Sequence, residues 1–116
     1  MRLLFLLVIS LSCTSAFAGN FATCLLDELP GTQNDNAAGA AYQVCSGKYP
    51  ARYDGVAQGS GRGFFGYDSG AECALAKAKD TRSNQAAGMI RAACNRLYDE
   101  KKSDLCKEFD LDCGAR

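Results

Sequence analysis

The chain has 116 residues, with 13 basic and 13 acidic side chains, seven cysteines, no histidine and no tryptophan. Balanced charge with both signs interspersed removes the electrostatic basis for binding nucleic acid or an anionic membrane. Without histidine, Ser-His-Asp and Cys-His catalysis are excluded.

Residues 1–18 read as a secretory signal peptide. Arg2 supplies the positive start, Leu3 to Leu11 is apolar apart from Ser10, and Ala16-Phe17-Ala18 forms a small-x-small cleavage site before Gly19. The apolar run is shorter than the roughly 20 residues that cross a bilayer. A lipoprotein with Cys13 acylated fits less well, because Ser10 stands where the lipobox carries leucine. The expectation is therefore an exported chain, periplasmic or secreted, with one domain over residues 19–116 and no membrane span after processing. Losing Arg2 leaves 12 basic against 13 acidic residues, a net charge of −1. Losing Cys13 leaves Cys24, Cys45, Cys73, Cys94, Cys106 and Cys113. An even number of cysteines in an oxidising compartment predicts three disulfides. With no histidine and no CxxC pair, a structural zinc site does not fit, and no metal or other cofactor is expected.

An internal duplication organises the domain. Cys24 to Cys45 and Cys73 to Cys94 are the same step of 21 residues, and the second pair follows the first at an offset of 49. At that offset Thr32 falls on Thr81, Ala37-Ala38-Gly39 on Ala86-Ala87-Gly88, and Tyr49 on Tyr98. Asn34 falls on Ser83, both good helix N-caps. The repeat units cover residues 22–49 and 71–98.

Each unit reads as a helical hairpin. In the first, a short helix over 22–29 leads through Pro30-Gly31-Thr32-Gln33 into a longer helix over 35–48. In the second, a short helix over 71–79 leads through Asp80-Thr81-Arg82 into a helix over 84–99. Ala86, Ile90, Ala93, Cys94 and Leu97 recur at helical spacing, as do Ala37, Ala38, Ala41, Val44 and Cys45. Cys24 and Cys45 are equidistant from their turn, and so are Cys73 and Cys94 from theirs. The favoured pairing is therefore 24–45, 73–94 and 106–113. A bridge closing about 20 residues contributes roughly 3 kcal/mol in the chain-entropy model. Gly39 and Gly88 fall inside the long helices at equivalent places, which predicts close helix–helix approach there.

Between the units, residues 49–70 form a connector with Gly55, Gly59, Gly61, Gly63, Gly66 and Gly70. Its Gly61-Arg62-Gly63-Phe64-Phe65-Gly66 satisfies GxGxxG, but no strand precedes it and no βαβ unit follows, so the match carries no dinucleotide reading. Two roles are open for its aromatic residues. Phe64 and Phe65 fill the space between alanine-rich hairpins, or Arg62, Phe64, Phe65 and Tyr67 face outward as partner-binding anchors, since arginine and aromatics concentrate at hot spots. After the second unit the chain is strongly charged, and Leu105 and Phe109 suggest a short C-terminal helix.

The fold expected is all-α: two duplicated disulfide-stapled helical hairpins, a Gly/aromatic-rich connector and a short C-terminal helix. The function expected is a small exported binding protein, an inhibitor or immunity-type partner of another protein, and no enzyme. The alternative is a carrier for a lipid or other small apolar ligand, lodged between the hairpins. A remoter one is a carboxylate hydrolase using Asp68 and Glu72, although an acidic residue beside Cys73 at a helix start simply complements the helix dipole. Oligomeric state is open.

Overall fold

A computed structural model describes residues 19–63 and 66–100. The expected signal peptide, Phe64, Phe65, and the expected Cys106–Cys113 bridge and C-terminal helix fall outside the described residues. Within them the fold is all-α: α1 (Phe21–Glu28), α2 (Asp35–Lys48), a short 3-10 helix (Arg52–Gly55), α3 (Gly70–Ala78) and α4 (Asn84–Tyr98).

The duplication reappears in how each helix starts. An N-cap side chain accepts a hydrogen bond from a backbone N–H three residues on, satisfying one of the donors that a helix start leaves free. Asn34 does this for Ala37 at 2.9 Å and Ser83 for Ala86 at 3.1 Å. The short helices are capped in the same way by a second equivalent pair. Asn20 accepts from Thr23 at 2.9 Å and Ser69 from Glu72 at 3.2 Å. Thr23 returns the bond by accepting from the Asn20 N–H at 2.8 Å, closing a reciprocal cap.

Each hairpin carries its own bridge. Cys24 is bonded to Cys45 and Cys73 to Cys94, with Cα–Cα separations of 5.7 and 5.5 Å. All four are buried, and around them Phe21, Leu25, Leu29, Val56 and Ile90 form the largest fully buried side chains. The apolar filling therefore comes from α1, α4 and Val56 of the connector.

The two units are alike in sequence but not in packing. α3 lies close along α4, whereas α1 divides its contacts among α2, α4 and the 3-10 helix. Gly70 permits the first of these: a Cβ there would come within 2.7 Å of the Asn95 Cα. The hairpin turns interlock. The Gly31 N–H donates to Thr81 Oγ1 at 3.0 Å, and the Arg82 and Ser83 N–H groups donate to the Thr32 carbonyl at 3.0 and 3.1 Å. Ser83 also donates through Oγ to Asp35 Oδ1 at 2.5 Å, which couples the start of α4 to the start of α2.

Gly39 and Gly88 depart from expectation. Apart from chain neighbours and the backbone of the same helix, nothing among the described residues lies within 4 Å of where a Cβ would sit at either position. Equivalent placement in the two units therefore does not mark a shared close contact. The glycines pressed against backbone are in the connector and at the start of α3 instead.

Candidate recognition surface on the connector

An α-helix ends with four carbonyls that lack intrahelical partners. The connector supplies partners for those of α4, from Arg96 to Asp99, and adds a bond to the Asn95 carbonyl, which also accepts from the Asp99 N–H. Gln58 Nε2 donates to the carbonyls of Asn95 and Asp99 at 2.8 and 3.0 Å. The Gly59 N–H donates to the Arg96 carbonyl and the Gly61 N–H to the Leu97 carbonyl, both at 2.8 Å. Arg62 Nη1 completes the series on the Tyr98 carbonyl at 2.6 Å. A cation at this end of a helix also complements the negative pole of its dipole.

Glycine makes the approach possible. Gly59 has φ +77°, a left-handed conformation that side chains rarely adopt. At Gly61 a Cβ would meet the Leu97 Cβ and the Tyr98 ring at 3.0 Å. At Gly66 it would meet the Gly61 carbonyl at 2.6 Å. Gly61 and Gly66 thus touch over the Tyr98 ring and close the neck of a loop. Arg96 of α4 donates in the reverse sense to the carbonyls of Val56 and Tyr53 at 2.7 and 3.0 Å, and at the far end the Gly70 N–H donates to Asp99 Oδ1 at 2.8 Å.

Of the four partner-binding candidates, the structure places two. Arg62 is fixed by its bond to Tyr98, a second from Nη1 to the Asp68 carbonyl at 3.1 Å and an ion pair of 3.4 Å with Glu100. Its side chain remains 39% exposed. Tyr67 packs edge-on against Tyr98 with ring centroids 5.2 Å apart and is half-buried. Burial, with a smaller contribution from Tyr67, raises the Tyr98 pKa above the ordinary phenol value. Phe64 and Phe65 are outside the described residues, as are Cys106 and Cys113.

A second aromatic group lies at the other end of the connector. Phe21 makes edge contacts with Tyr42 and Tyr53 at 5.6 and 4.9 Å, and the Arg52 guanidinium sits 5.4 Å from the Tyr42 ring centre. Tyr53 has its pKa raised chiefly by burial and then by Tyr42, with Arg96 opposing. Arg52 itself has φ +51°.

Sequence reasoning missed Gln58, Asp99 and the caps Asn20 and Ser69. The caps had a signal, since each lies 49 residues from its counterpart and precedes a helix. Gln58 had none, because its partners are 37 and 41 residues away. Glu72 Oε2 accepts from the Asp68 backbone N–H at 3.1 Å. Glu72 belongs to the first turn of α3. Among the described residues no cluster of Cys, Asp or Glu has metal-binding geometry, and no helix is long and apolar enough to cross a membrane.

Comparisons with protein families, with curated proteins and with solved structures returned no match.

Proposed function

We propose that this chain is an exported, non-enzymatic binding protein that captures a protein partner through its connector, in the manner of an inhibitor or immunity protein. The observation that carries the reading is the stepwise capping of α4 by Gln58, Gly59, Gly61 and Arg62, together with the neck at Gly61 and Gly66. A loop held at both sides of its tip loses little conformational entropy on binding, so its contacts convert more fully into affinity. In the sequence, Phe64 and Phe65 stand between those two glycines, flanked by Arg62 and Tyr67. This is the composition of a hot spot.

The anchoring bonds come from main-chain groups and from Gln58 and Arg62, so Phe64 and Phe65 can be changed without removing them. The test is cross-linking of the precursor-expressed protein in its own compartment, beside a Phe64→Ala/Phe65→Ala variant. A defined partner bound by the parent and lost from a variant with an unchanged melting transition supports the reading. Loss of the helical spectrum in the variant would assign both side chains to the core and sink it.

A further inference from the structure

Sequence reading sets Arg62 among the outward anchors of the connector; in the structure its guanidinium turns inward. Nη1 has two hydrogens and both are used, one on the Tyr98 carbonyl at 2.6 Å and one on the Asp68 carbonyl at 3.1 Å. Nη2 reaches the Glu100 carboxylate at 3.4 Å. The backbone aims the side chain there. The Arg62 N–H donates to the Gly59 carbonyl at 3.0 Å. A Cβ on Gly59 would lie 3.5 Å from Arg62 Cδ, so the stem runs over a residue that has no side chain.

These acceptors belong to different parts of the fold. Tyr98 ends α4 and Glu100 lies just past it, whereas Asp68 is on the returning side of the connector. The Asp68 residue is gripped at both its peptide groups, because its N–H donates to Glu72 Oε2 in the first turn of α3 at 3.1 Å. The outgoing side needs no such brace, since the Gly59 and Gly61 N–H groups are bonded to α4 directly at 2.8 Å. The Gln58 side chain likewise serves the end of α4. Arg62 does more than these groups: it caps the helix and also ties the two sides of the loop together across residues 63–67.

We infer that Arg62 is a positioning residue of the recognition surface: it holds the connector closed between residues 62 and 68 and acts on a partner through the shape of the loop. This role rests on the connector being the recognition element. The closure depends on geometry more than on charge. A planar guanidinium serves two carbonyls at once, which a lysine ammonium on a flexible stem does not reproduce. The pair with Glu100 is exposed on both sides, at 39% and 66%, and an exposed ion pair contributes little.

The closure can be read without any partner. Chymotrypsin selects large apolar side chains, and in the sequence Phe64 and Phe65 stand between the two braced sides. The Cys24–Cys45 bridge precedes that stretch, and Cys73–Cys94, Cys106 and Cys113 follow it. A single cut there therefore yields two separate fragments on an unreduced denaturing gel. Well below the melting transition, the rate of cutting follows the population of the open loop. In the protein processed from its own precursor, Arg62→Ala should speed this cut about tenfold, through the loss of charge-assisted hydrogen bonds. Arg62→Lys should also be cut faster than the parent, and Glu100→Gln at the rate of the parent. Gln58→Ala should lower the melting transition without speeding the cut. Equal rates in Arg62→Ala and the parent overturn the inference. So do equal gains in Gln58→Ala and Arg62→Ala, which would make Arg62 an ordinary helix cap. Full protection in Arg62→Lys would assign the effect to charge and overturn it equally. These variants keep Phe64 and Phe65, so failure here leaves the cross-linking test of the recognition reading standing.

Discussion

Gly39 and Gly88 sit on the same turn of α2 and α4 with open space beside them. Glycine inside a helix costs about 0.5–1 kcal/mol relative to alanine when nothing requires the missing side chain. Gly39→Ala and Gly88→Ala should therefore each stabilise the protein by about 0.5–1 kcal/mol. Gly70→Ala should act in the opposite sense, by about 1–3 kcal/mol, because the new methyl group meets the backbone of α4 at Asn95. Urea midpoints at constant slope would read all three. Identical residue types thus have opposite values, and the neighbour across the contact decides the sign.

At the scale of elements, the two long helices start with equivalent caps that do unequal work. Asn34 is exposed and serves only α2, whereas Ser83 is buried, accepts from Ala86 and donates to Asp35. Removing an N-cap typically costs about 1 kcal/mol, within a range of about 0.5–2. Asn34→Ala should fall at the lower end and Ser83→Ala at the upper, since the latter also releases α2 from α4. A thermal melt of each variant and of the Ser83→Ala/Asp35→Ala pair checks this. The pair should cost less than the two single changes added together, as expected for residues in direct contact. Equal costs for the two caps would show that the Ser83–Asp35 bond contributes nothing.

For the molecule as a whole, the core is too small to stand alone comfortably. Its largest fully buried side chains are a few aliphatics and Phe21, with cysteine and alanine making up much of the rest. Each described bridge closes a 21-residue separation and contributes roughly 3 kcal/mol in the entropy model. The two loops do not overlap, so together they supply about 6 kcal/mol, against a total of about 5–15 for an ordinary domain. Reduction should consequently abolish the helical circular dichroism near body temperature, and Cys24→Ser/Cys45→Ser should lower the melting point sharply with the second hairpin's bridge intact. A reduced chain that keeps its spectrum would place the stability elsewhere.

What was legible in advance and what was not divides along chain separation. The hairpins, the pairing of Cys24 with Cys45 and Cys73 with Cys94, and the caps Asn34 and Ser83 follow from spacings of three, four and 21 residues and from their repetition at 49. Interactions of that reach are set by helix geometry and leave a periodic trace. The capping of α4 by Gln58, Gly59, Gly61 and Arg62 joins groups some 36–41 residues apart through single bonds, and no periodicity encodes such a pairing. The same is true of the open flanks of Gly39 and Gly88. The sequence by itself determined two stapled hairpins, because each is held by contacts local to its own unit. Only the tertiary structure decided that α1 packs on α4 while α2 and α3 stay apart, because two units of the same pattern leave the direction of their joining to the particular side chains that meet.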